Sequence, residues 1–166
     1  MLSPSNVGGR PPTPNAFFIN DAQDKHYKIE PGKKYRFRII NLSALGGAAM
    51  WFDQHKFTIV EIDGVETVPT EGEQLYIAPG QRYSVIVEGK KDCKTKNFAI
   101  SVVMDTGREV LTPLPQLSFS FNDTAVLQYD DSKPDPAPVT VDSFNVVDDM
   151  TLKVGVPLLP MAIDYC

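Results

Sequence analysis

The sequence predicts an all-β domain, an antiparallel sandwich or barrel, and three observations lead to that class. Stretches of five to eight residues rich in β-branched and aromatic side chains alternate apolar with polar positions. Turn pairs such as Pro31-Gly32, Asp63-Gly64 and Pro79-Gly80 separate them at short intervals. No window carries the 3.6-residue apolar period of a helix of three or more turns. Many short strands with regular Gly/Pro punctuation fold as a sandwich or a barrel.

Taken in order, "AFFIN" (16–20) and "HYKIE" (26–30) read as short strands either side of a polar turn. After Pro31-Gly32, "KYRFRII" (34–40) sets Tyr35, Phe37 and Ile39 on one face and Arg36 and Arg38 on the other. "AMWFDQHKF" (49–57) reads as strand, with Trp51, Asp53 and His55 on alternate positions and so on one face. "FTIVEID" (57–63) ends at Asp63-Gly64, a strong hairpin signal. "QLYIA" (74–78) runs into Pro79-Gly80, and "RYSVIVE" (82–88) aligns Tyr83, Val85 and Val87. "NFAISVVM" (97–104) is the next strand, and "QLSFSFNDTAVLQY" (116–129) is one bent strand or two. The Pro-rich, charged "DDSKPDPAP" (130–138) is a connector. It divides a sandwich over 1–138 from a tail over 139–166, whose "FNVVDDMTL" (144–152) is apolar enough to pack back on the body. There is no internal repeat.

At 166 residues the chain is long enough for one domain with a substantial core, and 42% hydrophobic content excludes disorder throughout. Sixteen basic residues against 21 acidic ones argue against nucleic acid or anionic membranes as partners. No apolar run approaches the roughly 18 residues of a membrane span. The N-terminal MLSPSNVGGRPPTPN lacks the charged-then-apolar order of a signal peptide. Cys93 and Cys166 leave one disulfide open by count, without making a framework. The sequons at Asn41 and Asn122 are compatible with secretion; Asn41 ends an apolar strand, so Asn122 is the expected glycan acceptor.

The chemistry-bearing residues are few. A blue-copper centre takes two histidines, a cysteine thiolate and usually a weak axial methionine. Here Cys93 is followed by "KTKNFAIS" with no histidine, and the chain has two histidines in all, His26 and His55. A trinuclear cluster needs several His-x-His pairs, and none exists. No G-x-S-x-G elbow is present, and "SALGGAA" (43–49) lacks the spacing of a phosphate loop.

One resemblance is specific. "DKHYKIEPGKKY", "YRFRIINLSALGG", "HKFTIVEIDGVETVP" and "LYIAPGQRYSVIVE", in that order, resemble the middle domain of fungal three-domain multicopper oxidases. The likeness is nearest to iron-permease-linked ferroxidases, then laccases, and "LSPSNVGGRPPTPNAFFIND" and "VDSFNVVDDMTL" extend it over most of the chain. It implies a cupredoxin-like (plastocyanin-like) Greek-key β-sandwich that begins after the domain's first strand. In the parent enzyme, secreted or held at the outer face of a membrane, the first and third domains bind copper. The middle one binds none, spaces its cupredoxin partners and contributes to the substrate rim. The isolated chain is therefore expected to be inactive, with neither copper nor another cofactor. The missing strand would leave an open sheet edge and favour a homo-oligomer. A stand-alone binding or adhesion module without redox activity is the alternative.

The resemblance also implies site residues. Asp53 matches a position where the ferroxidases carry a glutamate that holds ferrous iron, and several laccases an aspartate that accepts a phenol's proton. Hard oxygen donors favour Fe(III) over Fe(II), which makes bound iron easier to oxidise. Asp148 and Asp149 match an acidic pair linked to iron handling, Trp51 is a packing residue or part of the rim, and His55 is expected to be packed and hydrogen-bonded.

Overall fold

The computed structural model describes residues 18–20, 25–44, 46–91, 96–105, 122–138 and 146–155. The strands are β1 (His26–Lys28), β2 (Lys34–Ile40), β3 (Ala48–Phe52), β4 (Phe57–Ile62), β5 (Val65–Gly72), β6 (Gln74–Ile77), β7 (Arg82–Glu88), β8 (Phe98–Met104) and β9 (Asn122–Gln128). They form two sheets, one of five strands in the order β1-β9-β8-β3-β6 and one of four in the order β2-β7-β4-β5. The pairing is antiparallel except for β1, which runs parallel to β9. Between the sheets lie Met50, Phe52, Phe57, Ile59, Leu75, Val85, Val87, Phe98 and Leu127, each at most 6% exposed.

Local chemistry accounts for the turns. Asp63 and Gly64 both take positive φ (49° and 86°), the mirror-image turn that suits the strand twist and joins β4 to β5. Gly32 and Gly80, each after a proline, take φ of 75° and 79° at the third position of turns closed by Lys33 N–H to Glu30 O and Gln81 N–H to Ala78 O.

Strict alternation along "FTIVEID" would turn Glu61 into the core with Phe57 and Ile59. A bulge between Ile59 and Glu61 resets the register. Glu61 therefore faces outward, accepting from Arg36 and from the Ser84 hydroxyl (3.0 Å), while Ile62 returns to the core.

Three features depart from the sequence reading. β3 stops at Phe52, and the next residues form a turn, so Trp51, Asp53 and His55 do not share a strand face. The described part of "AFFIN", residues 18–20, is a bend and turn with Asn20 at φ 54° rather than strand. Residues 65–72 form an additional strand despite Pro69, which an edge position tolerates because no ladder donor is needed on its free side. The readings at 16–17 and 116–121 and those on Cys93 and Cys166 lie outside the described residues.

Residues 146–155 run along β6 and then β5. Val146 bridges Gln74 in parallel, Thr67 bridges Val154, and Val68 N–H and Gly155 N–H donate to Lys153 O and Glu66 O respectively. Val147 and Leu152 pack on the core from this segment.

Candidate functional site

The turn after β3 carries the first candidate. His55 N–H donates to Phe52 O (3.0 Å), and Gln54 has φ 56° while Asp53 does not, the pattern of a type II turn. Asp53 is half-buried there, its amide donating to Ala99 O (2.8 Å) and its carboxylate accepting from Gln54 Nε2 (3.2 Å). Phe52 packs among the core aromatics and anchors the turn from within.

His55 is 6% exposed and fully occupied. Its Nδ1 lies 2.6 Å from Asp53 O, and a carbonyl only accepts, so Nδ1 carries the proton. Nε2 lies 2.7 Å from the Tyr129 hydroxyl, which donates to it and itself accepts from Lys90 N–H (2.8 Å). The imidazole stacks on Tyr129 and meets Phe98 edge-on with ring centres 4.8 Å apart. Burial pushes the His55 pKa down, against the hydrogen bond that Nδ1–H donates to the Asp53 carbonyl, and the Lys90 charge adds to the lowering. A neutral ring with one donor and one acceptor nitrogen satisfies every partner. The expected packed, hydrogen-bonded role of His55 is what the side chain performs.

Trp51 lies opposite Gln74 on β6 and Ser101 on β8, on the outer face of its sheet, yet only 5% exposed. Asp148 caps a single 3-10 turn at Asp149–Thr151, accepting from Met150 N–H (3.0 Å). Asp149 accepts from Gln81 Nε2 (3.2 Å), which also donates to the Tyr83 hydroxyl (3.1 Å). Burial raises the Tyr83 pKa to about 12, helped by the negative charges of Asp149 and Asp63.

These residues do not converge on one site. Trp51 pairs with Gln74 at the start of β6, and Asp53 lies beyond it, whereas Gln81 and Asp149 sit past the other end of that strand. Asn41 Nδ2 donates to both Gly46 O (2.8 Å) and Ile77 O (3.0 Å), so its sequon offers no free amide hydrogen. Asn122 is exposed at the first position of β9. Sequence reasoning missed Tyr129, Lys90 and Gln81. Only Gln81 left a local sign, a polar residue between a Pro-Gly turn and a strand.

No three His, Cys, Asp or Glu side chains stand within reach of one metal ion among the described residues. His26 Nε2 bonds Asp135 (2.8 Å) and both His55 nitrogens are engaged, so the described imidazoles do not fit a copper centre. No helix among the described residues is long and apolar enough to cross a membrane.

The family model described as multicopper oxidase matches residues 2–132. An iron transport multicopper oxidase of Epichloe festucae is 41% identical over 162 residues, 96% of this chain and 25% of that protein. A second, from Gibberella zeae, is 41% identical over 153 residues, 92% of this chain and 24% of that protein. The crystal structure of Fet3p, a multicopper oxidase that functions in iron import, superposes with a TM-score of 0.83 at 32% identity, covering 90% of this chain and 28% of that one. The Botrytis aclada laccase superposes at 0.62 with 27% identity, covering 81% of this chain and 27% of that one. The chain thus spans about a quarter of the length of the curated relatives it matches, and the two sheets have the cupredoxin-like arrangement of these oxidases.

Proposed function

Because the chain belongs to the multicopper oxidases, we propose that it is the copper-free middle domain of a ferroxidase-type enzyme. It spaces the copper-bearing domains and contributes Asp53 to the rim where the reducing substrate, Fe(II), gives up its electrons. The observation that carries this reading is the Asp53 turn: a half-buried carboxylate on a hydrogen-bonded loop, in a sandwich whose described histidines are both occupied by protein partners. A carboxylate there supplies hard oxygen to iron, and the relatives' names as iron transport oxidases support iron over a phenol.

The same reading assigns lesser roles. Leu42 and Met150, each 89% exposed, flank Gln81 and offer apolar surface to a neighbouring domain. Asp148 and Asp149 lie at that end and act on iron only through such a neighbour, and Trp51 supports the rim by packing. Residues 146–155, laid on the sandwich, support assigning the tail 139–166 to the same unit. Asn122, exposed at the start of β9, is the glycan acceptor of a secreted or outward-facing enzyme. The alternative of a stand-alone module draws no support from the relatives named above, each an oxidase.

The test is an oxidase assembled with this chain as its middle domain. Asp53→Ala should lower Fe(II) turnover and leave the copper absorption unchanged. Unchanged turnover sinks the assignment, and a loss confined to phenol oxidation moves it to the laccases.

A further inference from the structure

We propose that His55 is the positioning residue for Asp53, acting as a lock on the peptide between residues 53 and 54. The inference rests on the reading of Asp53 as a substrate contact, and its geometric half stands independently. In the turn over 52–55 the 53–54 peptide can point either way. With Gln54 at φ 56° it points so that the Asp53 carbonyl meets His55 Nδ1 at 2.6 Å. Left-handed backbone is unfavourable for a glutamine, and this third turn position ordinarily takes Gly or Asn. Something must hold the peptide there.

The structure supplies the hold from residues distant in sequence. Lys90 N–H donates to the Tyr129 hydroxyl (2.8 Å), the hydroxyl donates to His55 Nε2 (2.7 Å), and that bond fixes the proton on Nδ1, aimed at the Asp53 carbonyl. The Phe98 edge contact keeps the ring from turning. Asp53 is coupled to this chain because the direction of the 53–54 peptide sets its ψ, and the χ1 rotamers open to its carboxylate depend on that backbone angle. Without the bond the peptide flips to the form in which residue 54 is right-handed, and the carboxylate re-aims.

The experiment uses the whole 166-residue chain, followed by NMR during anaerobic titration with Fe(II). The turn is read from the short distance between the Asp53 Hα and the residue-54 amide proton, which the present peptide direction gives and the flipped one does not. Fe(II) contact is read from paramagnetic broadening at Asp53. His55→Phe keeps an aromatic ring against Phe98 and removes both hydrogen bonds. It should lose the short distance and weaken Fe(II) binding by about tenfold, the weight of a single hydrogen bond. Adding Gln54→Gly, which takes positive φ without penalty, should restore both readouts, a rescue that general destabilisation would not produce. If His55→Phe keeps the short distance and the Fe(II) affinity, the proposal is overturned. Should that variant fail to fold, Tyr129→Phe decides on the same readouts, with a smaller shift in the same direction expected and no shift overturning it. Fe(II) turnover unchanged by Asp53→Ala in the assembled oxidase overturns the Fe(II) reading, and the turn response of this chain then leaves the lock standing.

Discussion

The two lateral edges of the sandwich end differently. Along β5 and β6 the segment 146–155 supplies backbone partners to both sheets and two apolar plugs, Val147 and Leu152. Along β1 and β2 no further described strand pairs with the outer side of either. The inward side chains of β2, Tyr35, Phe37 and Ile39, are only half-buried, whereas Val85 and Val87 on the adjacent β7 are 0% and 1% exposed. An irregular segment can thus seal a sheet edge if it reaches the donors of two sheets, and glycines make its approach close enough. A Cβ on Gly72 would fall 2.6 Å from Val147 Cγ2 and 2.8 Å from Phe57 Cε2, and one on Gly155 would fall 2.9 Å from the Thr67 carbonyl.

The difference is sharpest in the core. Ile59→Ala, at a fully buried site on β4, should cost about 3–4 kcal/mol of stability, and Ile39→Ala on the half-covered β2 less than about 2, by the usual scale of buried truncations. Denaturant unfolding of both variants measures the gap, and equal losses would mean that β2 is as well covered as β4. The closed edge breaks next: Gly72→Ala should cost about 1–3 kcal/mol through overpacking and expose the tail, seen as faster proteolysis after residue 146. Wild-type proteolysis and stability in that variant would show that the segment does not depend on the close approach.

Acid separates the two sides further. His55 joins the turn after β3 to Tyr129, just past the end of β9, the strand that carries β1. Its folded pKa lies below the ordinary 6.5, because burial disfavours the imidazolium and Lys90 repels it. Below pH 6.5 the unfolded chain therefore binds the additional proton, and stability falls as pH drops toward the folded value. Asp53, Lys90 and Tyr129 are the polar groups facing the ring. His55→Phe should flatten that part of the stability profile, and an unchanged slope would assign the acid loss elsewhere. The smallest effect belongs to the closed side: Asp149→Asn should lower the Tyr83 pKa from about 12 by removing one of its raising charges, measured by ultraviolet titration.

How far these contrasts could be read from the sequence depends on the range of the interaction. Alternation placed β2 and β7 at 34–40 and 82–88, as found, because both strands have one buried face. Asp63-Gly64 and the two Pro-Gly pairs declared their turns through backbone preference alone. The break between β3 and β4 did not show, since the positive φ falls on Gln54 rather than on a Gly or Asn, and the turn is held by His55, whose partner Tyr129 lies 74 residues away. β5 was hidden by Pro69, which only an edge position excuses. The bulge at Glu61 became visible once Arg36 and Ser84 stood opposite it. Trp51, Asp53 and His55 read as one face because period two was carried through a turn.

The proposed middle-domain role requires that this domain hold no copper of its own. Equilibrium dialysis of the purified 166-residue chain against Cu(II), followed by metal analysis and an absorption spectrum, tests it directly. The prediction is no stoichiometric copper and no intense thiolate-to-copper band. One tightly held copper per chain with that band would contradict it.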